Sequence, residues 1–240
     1  MESYLKDLDT PELQKAKLVI GQFITSCSHT MRGPLKSITG LTNLLQNHKD
    51  YTAQEIDMFL SLIESTTQKM ERTLDELEHF LENSKRDVTY KLIDCRELLD
   101  SVLHQYRDEI SSKNELTINL DQTVPFYSDA ARLRIILSNL ISNAIQFRDT
   151  NKTSQEIKVS LTTTKENCEL IISDNGIGID PDNQPNIFQL FYRATERSSG
   201  TGVGLYVVKE AIEKMNGSIS VDSVPGQGST FKIILPNHVP

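Results

Sequence analysis

Ile56, Leu60, Ile63, Thr67, Met70, Leu74, Leu77 and Leu81 recur in steps of alternately four and three residues. An interval of about 3.5 residues keeps them on one stripe of an α-helix, and a stripe that long demands apolar partners along its length. The preceding segment carries its own helical spacing: Ile20, Phe23, Ile24, Cys27, Met31, Ile38, Leu41 and Leu45. Thr10-Pro11-Glu12 reads as an N-cap with proline at the first helical position. Asn47 to Tyr51 breaks the pattern, and Thr52 with Glu55 forms a capping box for the second helix. Two such helices joined by a short turn make an antiparallel hairpin. A lone hairpin covers its seam poorly, so a second copy is expected to close a four-helix bundle and make a homodimer.

The period changes after Lys85. Residues 86–90 are polar, and strand and helix patterns then alternate. Strands are expected at Tyr90–Asp94, Leu116–Leu120, Glu156–Thr163 and Glu169–Ser173, with a helix from Arg96 to Ser112. Asp129 can cap another helix through Leu133, Ile136, Leu137, Leu140, Ile141 and Ala144. Residues 180–200 carry Pro181, Pro185 and Ser198-Ser199-Gly200 without a clean period, and read as a long loop. A further helix begins near Gly202. Gly217–Asp222 and Thr230–Leu235 then pair around Pro225-Gly226-Gln227-Gly228. The expected architecture is α plus α/β: a helical hairpin over residues 1–87, then an α/β sandwich over 88–240, a mixed sheet with helices on one face.

Composition bounds the function. The net charge is −8, which argues against a general nucleic-acid surface. No run approaches ~20 apolar residues, and no basic-then-apolar leader precedes the hairpin. Cys27, Cys95 and Cys168 are far apart and without metal spacing, so they read as reduced packing thiols. Together these lead us to expect a cytoplasmic chain, or the cytoplasmic part of a longer receptor, with no membrane contact of its own.

Four places carry chemistry. Within the first helix, Pro34 removes a backbone hydrogen bond at a cost of ~3 kcal/mol, and Gly33 adds up to ~1 kcal/mol. The pair suggests a bend one turn beyond His29; the plainer reading is a tolerated kink beside a surface histidine. His48, His79, His104 and His238 have no comparable surroundings and are expected at the surface. Asn139 and Asn143 lie four apart, on one helical face, and asparagine oxygens suit Mg²⁺. In isolation two helical asparagines are simply solvated. The third place is Asp174-Asn175-Gly176-Ile177-Gly178, at the end of a buried strand. There a carboxylate can accept from an exocyclic amine, and Gly176 and Gly178 allow a flat ring close to the backbone. The fourth is Gly200-Thr201-Gly202-Val203-Gly204-Leu205, whose N–H groups open a helix and favour phosphate. Glycine pairs are common in loops. The order of these elements points to adenine at one turn and phosphates at the other.

These residues resemble the sensor histidine kinases of two-component signalling over roughly Lys15 to Pro236. Ser28-His29-…-Arg32-…-Pro34-Leu35 is similar to the family's phosphoacceptor box, which puts His29 in the phosphorylated place. Asn139-Leu140-Ile141-Ser142-Asn143-Ala144 resembles the asparagine box and implies that Asn143 holds Mg²⁺. Asp174-…-Gly176-…-Gly178 is similar to the first glycine box, whose aspartate reads the adenine amine. Ile187-Phe188-…-Phe191-Tyr192-Arg193 resembles the phenylalanine box at the start of the ATP lid. Gly200-…-Gly202-…-Gly204-Leu205 matches the second glycine box, and Gly226-…-Gly228 a third. The resemblance implies an Hsp90-like ATP-binding fold, Mg-ATP as phosphoryl donor and an aspartate of a response-regulator receiver domain as acceptor.

The departures shape the expected activity. Thr30 stands where the family usually has a carboxylate, so it can orient the imidazole but cannot act as base near neutral pH. Gly33 replaces a Thr or Asn associated with dephosphorylating the partner. Gln146 replaces a lysine near the phosphates, leaving Arg193 and Arg197 to supply that charge. Slow autophosphorylation and little phosphatase activity are expected. One rival is a weakened dimer serving as a phosphorelay or ATP-sensing scaffold, favoured by Thr30 and Gln146. Another is a different member of the superfamily: an Hsp90-like or topoisomerase-type ATPase, or a serine-directed kinase. None of those gives the hairpin a role.

Overall fold

A computed structural model describes residues 11–47, 51–107, 109, 110, 114–195 and 201–239, except for some side chains within its helices. Helix α1 (Pro11–Asn47) begins at the proline that the N-cap pattern marked and runs through Pro34. Around Pro34 the hydroxyls turn inward: Ser37 donates to the Gly33 carbonyl at 3.3 Å and Thr39 to Leu35 at 2.9 Å. Helix α2 (Ala53–Lys85) opens with the capping box. Thr52 N–H donates to Glu55 Oε2 at 2.8 Å, and Glu55 N–H returns to Thr52 Oγ1 at 3.3 Å. The seam reaches solvent in the single chain, with Leu60 52% and Leu74 46% exposed. Burying a leucine side chain is worth about 1.5–3 kcal/mol, so this stripe is where a partner helix would add most.

The chain divides into two compact units, Met1–Glu78 with Ser199–Thr201 and His79–Ser198 with Gly202–Pro240. In the second, β1 (Lys91–Ile93) leads into α3 (Cys95–Gln105), capped by Asp94, whose carboxylate accepts from Glu97 N–H at 2.9 Å. There follow β2 (Asn114–Asp121), β3 (Phe126–Ser128), α4 (Ala130–Gln146), β4 (Gln155–Thr163) and β5 (Asn167–Asp174). A 3₁₀ turn (Gln184–Asn186), α5 (Gly204–Lys214), β6 (Ser218–Val224) and β7 (Gly228–Pro236) complete the unit.

The five-stranded sheet has the order β2-β4-β5-β7-β6, with β2 parallel to β4 and the other neighbours antiparallel. The expected mixed sheet is present. Alternate residues of β4 are buried from Gln155 to Thr163 while Lys158 and Thr162 face solvent. That period of two leaves one face for helices. Ile157, Val159, Leu170, Ile172, Phe231 and Ile233 supply the sheet's side of the core. Leu99 and Val102 of α3, Ile136, Leu140 and Ile141 of α4, and Val208 and Ile212 of α5 close over them.

Some boundaries differ from the sequence pattern. The helix expected to reach Ser112 ends at Gln105. There Tyr106 places its hydroxyl 3.0 Å from Ser138 Oγ and 3.1 Å from the Ser138 carbonyl, and its own carbonyl accepts the Ile110 N–H. A tertiary anchor thus overrides local helix propensity. Strand β3, only three residues long and directly after Pro125, carries no period in the sequence; it pairs with β1 in a separate two-stranded sheet. His238 is not a free surface residue either. Its ring stacks on Tyr90 with centroids 3.8 Å apart, and its Nε2 is buried without a hydrogen-bond partner. His104 is exposed as expected, and His48 lies outside the described residues.

The start of α4 is fixed by a buried ion pair. Asp129 caps the helix through Ala131 N–H at 3.0 Å and Arg132 N–H at 3.1 Å. Its other oxygen takes Thr89 N–H at 3.0 Å and Arg132 Nη1 at 2.7 Å. The Arg132 guanidinium also donates from Nε to Asn83 Oδ1 at 3.1 Å and from Nη2 to the Arg86 carbonyl. Arg132 is 2% exposed, yet its charge is paired and its donors are used.

Candidate functional site: glycine-bearing turns beside helix α4

Helix α4 buries one side in the core and presents Asn143, half-buried, near its C-terminal end. Phe147 ends the helix by donating its N–H to the Asn143 carbonyl at 2.9 Å. The Phe147 carbonyl then accepts Ile177 N–H at 3.0 Å. One peptide unit therefore joins the asparagine helix to the turn after β5. Gly176 is required at this junction, because a Cβ there would collide with that carbonyl and stand 2.8 Å from Asp174 Oδ1.

Asp174 is the last residue of β5. Its Oδ1 accepts Gly176 N–H at 2.8 Å. Burial pushes its carboxyl above the ordinary value, while the N–H groups of Gly176 and Ser229 and the charge of Lys152 pull it back in part. An anion held with incomplete solvation gains strongly from a further donor, such as an exocyclic amine. Lys152 Nζ donates to the Asn175 carbonyl at 2.5 Å. No sequence signal marked this lysine, because it reaches the turn from a loop more than twenty residues away.

The remaining glycines buttress the turn. Gly178 has φ +71° and leaves no room for a Cβ against the Val224 carbonyl. Gly226 donates its N–H to Ile177 O at 2.7 Å. Gly228, at φ +116°, presses on the Asp174 backbone. The third glycine pair thus supports the first from the β6–β7 hairpin.

Helix α5 begins at Gly204 with no side-chain cap on its N-terminus. Asn139 Oδ1 stands 2.7 Å from where a Cβ on Gly204 would be, so the first asparagine abuts the second glycine turn. Asn139 is buried, and its Nδ2 donates to the Ile135 carbonyl at 2.8 Å and lies 3.2 Å from His79 Nδ1. His79, expected at the surface, is half-buried here; its helical neighbours gave no hint of it. Gly202, at φ +77°, accepts Phe191 N–H at 3.0 Å on its carbonyl. A Cβ there would stand 2.7 Å from Tyr192 O.

Phe191 itself has φ 66°, an unusual backbone for a bulky residue, at the point where the loop meets this turn. Ile187 is buried, and Phe188 and Tyr192 pack against the core. Arg193 is exposed at the end of this segment, and Leu205 is partly buried at the start of α5. Arg197 and Gly200 lie outside the described residues, as do the side chains of His29 and Thr30, whose backbone belongs to α1.

Asn139, Asn143, Asp174, Gly176, Gly178, Gly202 and Gly204 are thereby linked through Phe147, Ile177, Tyr192 and the ends of α4 and α5. The arrangement offers a carboxylate and a close backbone approach at one end, and an uncapped helix N-terminus at the other. That suits a flat amine-bearing ring joined to an anion.

Residues 128–239 match the family model of histidine kinase-, DNA gyrase B- and HSP90-like ATPases. The chain is 32% identical over 239 residues to the sensor protein GacS of Pseudomonas syringae pv. syringae, covering 95% of this chain and 26% of that protein. It thus spans about a quarter of the length of such curated relatives. Histidine kinase ThkA, solved in complex with response regulator protein TrrA, shares the fold with a TM-score of 0.72 at 19% identity, over 99% of this chain and 67% of that one. Full-length ShkA in complex with AMPPNP gives 0.62 at 24% identity, over 92% of this chain and 46% of that one. The chain is a homologue of the sensor histidine kinases, and its residues 128–239 form an ATPase domain of the histidine kinase, DNA gyrase B and HSP90 family.

Proposed function

We propose that the chain is a histidine protein kinase core that transfers the γ-phosphoryl group of ATP to His29 and then to an aspartate of a response-regulator receiver domain. The observation that carries this is the Phe147 carbonyl, which joins the Asn143 helix to the Asp174–Gly176 turn. The glycine cradle and the partly desolvated carboxylate fit adenine: Asp174 accepts from the exocyclic amine and so selects adenine over guanine. The N–H groups around Gly202 and Gly204 receive phosphate oxygens, and Arg193 offsets charge on the γ-phosphoryl group. Asn143, half-buried on α4, offers a hard amide oxygen that fits Mg²⁺. When bound, the cation neutralises phosphate charge. ShkA was solved with an ATP analogue and ThkA with a response regulator, which supports the same donor and acceptor classes here.

The nucleophile is Nε2 of neutral His29, whose ordinary pKa of ~6.5 leaves it mostly uncharged at pH 7. A P–N bond forms as the bond from the γ-phosphorus to the bridging oxygen breaks, ADP leaves, and the imidazolium loses its Nδ1 proton to solvent. Thr30 orients the ring without serving as base. The exposed seam of α2 supports a homodimer that closes a four-helix bundle. Incubation with γ-labelled ATP should give acid-labile, alkali-stable phosphate on the wild type and none on His29→Ala. Equal labelling of both would refute the assignment, and sedimentation as a monomer at micromolar concentration would refute the dimer.

A further inference from the structure

His79 has no part in the sequence motifs, yet it meets the first asparagine of α4. Asn139 Nδ2 bears two hydrogens. One goes to the Ile135 carbonyl at 2.8 Å and the other points to His79 Nδ1 at 3.2 Å. An amide nitrogen only donates, so Nδ1 must accept and the ring proton sits on Nε2. With both hydrogens engaged, the amide plane is fixed and Oδ1 faces the first residue of α5, 2.7 Å from where a Gly204 Cβ would lie. Asn139 is thus consumed as a bracket between α4 and the second glycine turn.

The bracket is reinforced on both sides by the same end of α2. Phe80 is buried and packs on Tyr206 in the first turn of α5, ring centroids 6.5 Å apart. Asn83 accepts Arg132 Nε on its side chain and Lys214 Nζ on its carbonyl. Consecutive turns of α2 therefore engage α4 and both ends of α5, with His79 nearest the glycine turn.

We infer that His79 is a positioning residue for nucleotide binding: it orients Asn139, which holds the N-terminal turn of α5 in the geometry that receives phosphate. This rests on the nucleotide-site reading above and adds a control point on the last turns of α2, the second helix of the hairpin. It acts on ATP affinity, leaving the attacking group untouched.

The test uses the full chain and titration calorimetry with ATP in magnesium buffer, alongside autophosphorylation at varied ATP. His79→Ala should weaken ATP binding and raise its KM about three- to tenfold, the loss of one hydrogen bond, with kcat changed less than twofold. His79→Asn places an amide oxygen near the Nδ1 position and should restore affinity, while His79→Leu, of similar bulk but without an acceptor, should not. Unchanged affinity in His79→Ala overturns the inference. So does equal loss in the asparagine and leucine variants, which would make His79 a packing residue. If wild type fails to bind ATP at all, the nucleotide reading falls and this falls with it. If it binds ATP but leaves His29 unlabelled, the affinity pattern still stands or falls separately.

Discussion

The N–H of Ile177 donates to the Phe147 carbonyl at 3.0 Å, and between them Gly176 has no room for a side chain. The end of an asparagine-bearing helix and the turn after Asp174 are therefore tied together at close range. Gly176→Ala must push that carbonyl away. We expect a stability loss of about 1–3 kcal/mol, as for overpacking, and ATP affinity reduced at least as much as in any other glycine variant of the turn. Denaturant unfolding together with calorimetry would check both.

Asp174 sets stability against binding. Burial raises its folded pKa, so its contribution is complete below the unfolded value of about 3.9 and is lost as pH rises through the folded pKa. Asp174→Asn removes that loss. The ligand-free variant should unfold within about 1 kcal/mol of wild type at pH 7 and show a flatter acid-to-neutral stability profile. ATP affinity should fall about ten- to a hundredfold, because the amide presents a donor to the adenine amine. Full ATP affinity in this variant would remove Asp174 from the site.

Asp129 slopes the other way. Burial raises its carboxyl, but the N–H groups of Thr89 and Arg132 and the Arg132 guanidinium outweigh this and hold it below the ordinary range. Its contribution is present above about pH 4 and is lost as pH falls through the depressed folded value. Arg132→Ala leaves a buried carboxylate unpaired and should cost about 3–5 kcal/mol. The double replacement Asp129→Asn with Arg132→Met should recover part of it. A single variant that unfolds like wild type at pH 7 would show the pair to be dispensable.

Thr30 is the simplest place to raise turnover. Thr30→Glu would put a base beside the imidazole, and general-base assistance is worth about a hundredfold or more when well placed. We expect at least a tenfold faster initial rate of His29 labelling at saturating ATP, with ATP affinity unchanged. Labelling no faster than wild type would mean that proton removal does not limit the reaction.

Much of the site was legible because its requirements are local. A turn that approaches a ligand needs glycine whatever surrounds it, so Gly176, Gly178, Gly202 and Gly204 stood out in one dimension. The seam of α2 and the alternation of β4 were legible for the same reason, since each is a period imposed by one element's own geometry. The end of α3 was not: Tyr106 stops the helix through Ser138, thirty-two positions away. Nor were the partners of Asn139, whose amide nitrogen donates to the Ile135 carbonyl and meets His79 Nδ1, sixty positions away.

The order of turns, caps and periods determined by itself that this chain makes long helices followed by a mixed sheet, and which glycines stand at its tight turns. Tertiary structure alone decided that Lys152 reaches the Asp174 turn, that Arg132 is buried against Asp129, and that His79 meets Asn139. The physical reason is range: backbone conformation follows from near neighbours, whereas desolvation and hydrogen-bond partnership depend on residues that only the closed fold brings together.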